Sequence, residues 1–151
     1  MKKVLSIILV ILWMMLIFNF SKDNGNESTS LTNEVISTVV TTFTDIEKNS
    51  KEMDEILDVT FIPVRKCAHF FVYFCLGLLV MNALYICGVS RKTLIISSVI
   101  CILFALSDEF HQTFVDGRAG SLVDALLDSS ASLIASYFYH KFVIMRYYYE
   151  K

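Results

Sequence analysis

Four long apolar stretches, separated by polar connections, dominate the hydrophobic pattern of the chain. Each is long enough to cross about 30 Å of hydrocarbon as a helix. They cover residues 4–20, 67–89, 93–115 and 121–145. The connections at 88–92 and 116–120 are so short that the helices they join must be antiparallel neighbours. The pattern predicts an all-α integral membrane protein, a single domain over residues 1–151 built as a bundle of four transmembrane helices.

The first apolar stretch follows Lys2 and Lys3, which raises the alternative of a signal peptide. No pair of small residues suited to cleavage comes after it, and it ends in the polar sequence Asn19-Phe20-Ser21-Lys22. We therefore expect this stretch to be an uncleaved membrane helix.

Residues 21–65 are polar and are predicted to form a loop with a short amphipathic helical region. Residues 21–30 are predicted to lack helix, because they are rich in Asn and Ser. Apolar residues recur at helical spacing from Leu31 to Ile46, and a second short helix is predicted over 50–58. Both pieces are too short and polar to span, so we expect them on the membrane surface or capping the bundle.

Composition agrees with a membrane protein. Hydrophobic residues make up 55% of the chain, above the roughly 45–50% of soluble domains. The four cysteines form no CxxC pair and lie in or beside apolar segments, so we expect free thiols rather than disulfides or a zinc site.

The distribution of Lys and Arg predicts the orientation. Both ends of the chain and the 88–92 connection are basic, whereas residues 21–65 hold four basic and nine acidic residues, a net charge of −5. Positive segments tend to stay in the cytoplasm. We therefore expect both termini in the cytoplasm and residues 21–65 outside, in a multi-pass membrane protein.

The end of the third apolar stretch, residues 105–118, carries polar side chains that a membrane helix rarely holds. A charge near the bilayer centre costs about 2.5–3.5 kcal/mol even on lenient scales. On a helix, Asp108, His111 and Gln112 fall on one stripe, and Glu109 points about 100° away from Asp108. We expect such residues in a protected cavity near the membrane interface.

The predicted topology brings the polar residues of three helices to the outer half of the membrane. His69 and Tyr73 share one face of the second spanning helix, and Asp124 and Asp128 share a face of the last. That face continues with Ala131, Ser132 and Ala135, which are small enough to predict a close helix contact. Tyr73, Asp108 and Asp128 each lie about 10 Å from the outer end of their helix. We predict an outward-facing polar pocket. Its expected lining is His69, Tyr73, Asp108, His111, Gln112, Arg118, Asp124 and Asp128.

Each of these residues also has a purely structural interpretation. Asp124 could favour the positive end of the last helix. Lys66 could be a flanking residue that reaches the interface. Arg118 could anchor the chain at the interface or pair with Glu109 or Asp124. The whole set could serve only to hold helices together.

The residue types in the predicted pocket suit several kinds of chemistry. His69, His111 and nearby acids suit a divalent metal, but no HExxH-like spacing is present, so no metal ligand is assigned and any cofactor stays unknown. His111 with Asp108 or Asp128 would make an acid/base pair, and Arg118 would clamp a phosphate or carboxylate. The candidate catalytic residues are His69, Asp108, His111 and Asp128. The candidate ligand-binding residues are Tyr73, Glu109, Gln112, Arg118 and Asp124.

Three blocks of sequence resemble the VanZ-like family of bacterial membrane proteins. The first is Phe18-Asn19-Phe20-Ser21, with Ser28 and Ser30 beyond it. The second, residues 65–77, is similar to the pattern Lys-x-x-His-x-x-x-Tyr-x-x-x-Gly. The third, residues 107–118 with Asp124 and Asp128, is similar to Asp-Glu-x-x-Gln, Phe-x-x-Gly-Arg and Asp-x-x-x-Asp. The chain departs from the family at Asp116, where Pro is usual, and at Ala131 and Ala135, where Gly is usual.

The resemblance implies a role in the bacterial cell envelope, with a founding member linked to low-level resistance to the glycopeptide teicoplanin. It implies no particular reaction. Our leading hypothesis is that the pocket binds or modifies an envelope component or an amphiphilic antibiotic. The alternatives are a membrane-embedded hydrolase or transferase, with a metal or an acid/base pair, and a structural or partner-binding bundle. We expect membrane lipid as a partner, a cell-wall precursor or glycopeptide as candidate ligands, and no nucleic acid.

Overall fold

The computed structural model describes residues 1–22, 25–89, 92–115 and 120–144, and in these residues it is helical with no strand. The helices are α1 (Lys2–Lys22), α2 (Gly25–Phe43), α3 (Lys51–Cys87), α4 (Thr93–Gln112) and α5 (Leu122–Tyr139). A π-helical turn, His140–Ile144, continues α5. The prediction of an all-α protein is confirmed.

Three helices, α1, α3 and α4, are long and apolar enough to cross a membrane. The fourth predicted span, α5, does not reach that level of hydropathy, because its 18 residues include Asp124, Asp128 and four serines. Several of its large apolar side chains are nevertheless exposed on the outside of the bundle, among them Leu122 and Leu126. Such an apolar outer surface is what lipid contact requires.

The predicted loop over residues 21–30 is wrong wherever the structure describes it. Helix α1 runs to Lys22, and α2 begins at Gly25. Threonine hydroxyl groups of α2 donate to backbone carbonyls one turn earlier, so these donors are satisfied within the helix. Thr41 Oγ1 donates to the carbonyl of Ser37 at 2.8 Å, and Thr42 Oγ1 donates to that of Thr38 at 2.6 Å.

Helix α3 is one continuous element of 37 residues, where the sequence predicted a short helix over 50–58 and a separate span from residue 67. Its first turn is capped by Ser50, whose Oγ accepts a hydrogen bond from the Met53 amide at 3.2 Å. It ends at Gly88, whose φ of 88° is left-handed. Pro63 lies inside and removes one amide donor, but the helix continues through it. The predicted outer loop over 21–65 is therefore mostly helix.

Small residues let α3 and α5 approach closely. A Cβ added at Gly77 would clash with the backbone carbonyl of Ser132 and come within 3.0 Å of Ala135 Cβ. Ser132 Oγ donates to the carbonyl of Tyr73 at 2.9 Å, and Ala131 is fully buried beside it. The structure thus contains the close helix contact that the small-residue stripe predicted.

Helix α1 packs along α3, and a tryptophan side chain of α1 donates a hydrogen bond to the backbone of α3. The indole Nε1 of Trp13 donates to the carbonyl of Val72 at 2.9 Å. Ile17, one turn further along α1, is almost completely buried in the same core as Tyr73 and Leu76. This contact fixes the end of α1 next to the polar part of α3.

Candidate functional site

A fully buried carboxylate, Asp108, joins three helices. Its Oδ2 accepts hydrogen bonds from Ser21 Oγ of α1 at 2.8 Å, Tyr73 Oη of α3 at 2.9 Å and Gln112 Nε2 of its own helix at 3.3 Å. Gln112 Nε2 also reaches Ser21 Oγ at 3.3 Å. We call these four residues the Asp108 cluster. Three donors on one carboxylate oxygen stabilise its burial among apolar helices.

Next to this cluster, α3, α4 and α5 enclose a polar cavity of about 250 Å³. Most of the residues that line it are charged or carry an amide or imidazole. Phe61 and Ile62, from the turn of α3 before Pro63, add an aromatic and an aliphatic side chain. The lining is Phe61, Ile62, Arg65, Lys66, His69, Glu109, Gln112, Asp124, Leu127 and Asp128. Gln112 contributes to both the cavity and the Asp108 cluster.

The rim of the polar cavity is an ion pair. Lys66 Nζ donates to Asp124 Oδ1 at 2.7 Å, and the two side chains are 46% and 38% exposed. The sequence interpretation of Lys66 as a flanking residue did not include this partner, which is an acid of α5. A half-exposed pair of this kind adds little stability, so it can open without unfolding the bundle.

The deep wall of the polar cavity holds Asp128, which is 1% exposed. Neither of its carboxylate oxygens has a hydrogen-bond partner among the described residues. His69 Nδ1 lies 3.9 Å from Oδ2, which is too long for a hydrogen bond. A buried carboxylate without donors is costly, so this position suits a bound group that donates hydrogen bonds or carries positive charge.

Glu109 binds the N-terminus of α5. It is 6% exposed, and its Oε2 accepts a hydrogen bond from the Ser121 amide at 2.8 Å. Ser121 is the N-cap of α5 and accepts from the Asp124 amide at 3.4 Å. An acid at a helix N-terminus is favourable because of the helix dipole. Glu109 thus fixes α5 against α4, and it lies on the wall of the polar cavity as well.

His111 and Gln112 are both predicted to line the pocket, but the structure places them in different surroundings. Gln112 is 4% exposed and bonded inside the Asp108 cluster. His111 instead lies against α1, its ring centroid 4.2 Å from that of Phe18, and it does not line the polar cavity. In the described part of the chain no carboxylate comes within 4.0 Å of His111, so the proposed acid/base pair with Asp108 or Asp128 does not form. The imidazole lies beside the Phe18 ring instead, with the two ring planes tilted by 39°.

The structure separates the predicted pocket into two parts. His69, Gln112, Asp124 and Asp128 lie on the wall of the polar cavity, together with Glu109. Tyr73 and Asp108 lie behind that wall in the Asp108 cluster. Arg118 falls outside the described residues, as do the neighbouring positions 116–119.

Three polar residues of this region were not predicted as functional. Ser21 was assigned to a loop, although it stands in the first block that resembles the VanZ-like family. Lys66 and Arg65 were counted only as flanking charges. The spacing of Arg65 and His69, four apart on one helix, was the signal that Arg65 faces the same cavity.

The described residues do not form a set of metal ligands. Among the described residues, no group of three or more His, Cys, Asp or Glu side chains is arranged to hold an ion. The four cysteines are free thiols, as the sequence predicted.

Comparison with known families supports the resemblance drawn from the sequence. The profile of the VanZ/LLP1 family matches residues 6–145, so it includes all three resembling blocks, most of α1 and the whole of the other helices described above. No curated protein and no solved structure matches the chain.

Proposed function

Because the chain belongs to the VanZ/LLP1 family, we propose that it is a bacterial cell-envelope membrane protein that binds the polar group of an amphiphile in the polar cavity. The amphiphile is an envelope component or an antibiotic, with a glycopeptide such as teicoplanin as one candidate. Asp128 carries the proposal: it is a buried carboxylate on the cavity wall whose two oxygens have no donor in the described protein.

The cavity has the features of a binding site rather than a packing defect. Its wall combines positive, negative and amide groups from three helices. Its rim is the half-exposed pair Lys66–Asp124, whereas its deep wall is formed by Asp128 and Gln112, which are nearly inaccessible. A site with a few fixed polar groups in a concave surface is typical of small-ligand recognition.

We further propose that α5 crosses the membrane as a fourth span, with both termini in the cytoplasm and the polar cavity facing outward. Helix α5 alone is about 27 Å long, close to the hydrocarbon thickness. Its exposed Leu122, Leu126 and Phe138 suit lipid contact, and its two acids face the protein side, where Lys66 and His69 lie. The basic ends of the chain suit the cytoplasmic side.

The test of the binding function is Asp128→Asn, with Asp58→Asn as the matched control on the exposed part of α3. Asn has nearly the same shape and removes the unpaired charge, so we expect the variant to fold with stability near that of the wild type. We expect it to lose teicoplanin protection in a sensitive Gram-positive host and to retain less co-purifying amphiphile. Asp58→Asn should change neither. If both variants protect equally and retain equal amphiphile, the binding function is wrong.

A further inference from the structure

A second concave surface, here called the apolar groove, lies beside the polar cavity. It has a volume of about 270 Å³ and is formed between α1, α2 and α3. Its apolar lining includes Ile17 and Phe20 of α1, Leu31 and Val35 of α2, and Val64 and Val72 of α3. Its wall is mainly hydrocarbon, so its natural content is an aliphatic chain.

The apolar groove and the polar cavity share a wall. Arg65 and His69 line both of them, and these residues are one helical turn apart on α3. A molecule that fills both spaces must therefore have a polar part and an aliphatic part joined next to Arg65. A membrane phospholipid has this form.

The charges of the polar cavity indicate which head group fits. Asp128 offers two buried oxygens without donors, whereas Asp124 on the same wall is already paired with Lys66 and Glu109 accepts from the Ser121 amide. A primary ammonium group supplies three hydrogen-bond donors and a positive charge. Arg65, at the junction, has no carboxylate within 4.0 Å in the described part of the chain, and its guanidinium suits a phosphate.

From these features we infer that the protein binds a phospholipid with a primary ammonium head group. The ammonium group lies toward Asp128, the phosphate lies on Arg65, and one acyl chain lies in the apolar groove. This inference rests on the proposed binding function and names its ligand class.

The head-group test compares phosphatidylethanolamine with phosphatidylcholine and phosphatidylglycerol carrying identical chains, added to the full chain in detergent and measured by native mass spectrometry. Choline cannot donate hydrogen bonds, and glycerol donates but carries no positive charge. We expect the ethanolamine lipid to bind about tenfold tighter than either, and Asp128→Asn to remove the preference. Equal binding of all three lipids overturns the head-group assignment.

The chain test uses glycerophosphoethanolamine and its short-chain diacyl derivatives. Burial of each added methylene in the groove should tighten binding about fourfold, until the groove is full. Val35→Trp fills the groove from α2 and should abolish this dependence. Val39→Trp is the matched control, because Val39 is 52% exposed on the same helix, Val35 is 57% exposed, and only Val35 lines the groove.

The outcomes separate the inference from the proposed function. If affinity is the same with and without acyl chains, the groove assignment is wrong and binding in the polar cavity still stands. If a glycopeptide binds in an Asp128-dependent manner and the ethanolamine lipid does not, the ligand class is wrong and the binding function stands. If no amphiphile binds in an Asp128-dependent manner, both are wrong.

Discussion

At the scale of single residues, the carboxylate of Asp108 shows how an acidic side chain is held inside an apolar bundle. It is completely buried, yet it lies on an apolar helix where an uncompensated charge would be strongly unfavourable. Three donors from α1, α3 and α4 converge on one of its oxygens. The cluster therefore has a structural role: it holds together the helices that support the polar cavity.

We expect Tyr73→Phe and Asp108→Asn each to lower the free energy of unfolding by about 1.5–3 kcal/mol, because Tyr73→Phe removes a hydrogen bond to a buried carboxylate and Asp108→Asn replaces that carboxylate by a neutral, weaker acceptor. The double variant should be less destabilised than the sum of the two, by about 1–3 kcal/mol. Unfolding in detergent, followed by circular dichroism, measures this coupling. Tyr137→Phe, at a 54% exposed position, should change stability by less than about 0.5 kcal/mol. Additive effects of the two substitutions would show that the hydrogen bond between Tyr73 and Asp108 does not contribute to the stability of the protein.

Residue types predicted some members of the site and could not predict others. Asp108 and Asp128 stand out because acids are rare in apolar stretches. Ser21 does not stand out, since serine fits loops and helices alike and its partner lies 87 positions away. His111 shares a helical stripe with Asp108, but the packing of Phe18 against it decides which way the imidazole points. The periodicity of side chains shows which residues share one face of a helix. It does not show which other helix packs against that face.

At the scale of elements, the close packing of α3 on α5 positions Asp128 beside His69. The small residues Gly77 and Ala135 form this contact, and Ser132 bonds across it. The sequence predicted the contact because small residues recur along α5 at helical spacing. It could not predict that α3 is continuous, because a proline ordinarily marks a helix boundary and Pro63 here lies within the helix.

We expect Gly77→Ala to destabilise the bundle by about 1–3 kcal/mol, because the added methyl group meets the Ser132 backbone, which cannot move aside without shifting α5. Thermal unfolding in detergent measures the loss. Gly88→Ala is the comparison, since nothing lies within 4 Å of its added Cβ and only the left-handed φ opposes it. That change should cost about 1 kcal/mol. A Gly77→Ala protein as stable as the wild type would contradict the close packing.

At the scale of the whole molecule, antiparallel helices bring together residues that are far apart in sequence. Lys66 meets Asp124 across 58 positions, and the sequence predicted this gathering because short connections force neighbouring helices to reverse direction. The orientation of the bundle in the membrane follows from charge, and the acidic region between α1 and α3 is predicted to be outside.

We expect a cysteine introduced at Asn49 to react with a membrane-impermeant maleimide added to intact cells, because Asn49 is exposed between α2 and α3 on the predicted outer side. A cysteine at Lys2 should react only after the cells are opened. Both belong in a Cys67→Ser background, because Cys67 is exposed. Protection at 49 together with labelling at 2 would place the polar cavity on the cytoplasmic side.

The hydrogen bond between Trp13 and Val72 has a practical consequence. Trp13 is the only tryptophan of the chain, so all indole fluorescence arises where α1 meets α3. Val72 also lines the apolar groove, and its carbonyl accepts the indole proton at 2.9 Å. Separation of α1 from α3 would break this bond and alter the polarity around the ring. Emission wavelength therefore reports, without any added label, whether the two helices stay together as lipid composition or temperature is varied.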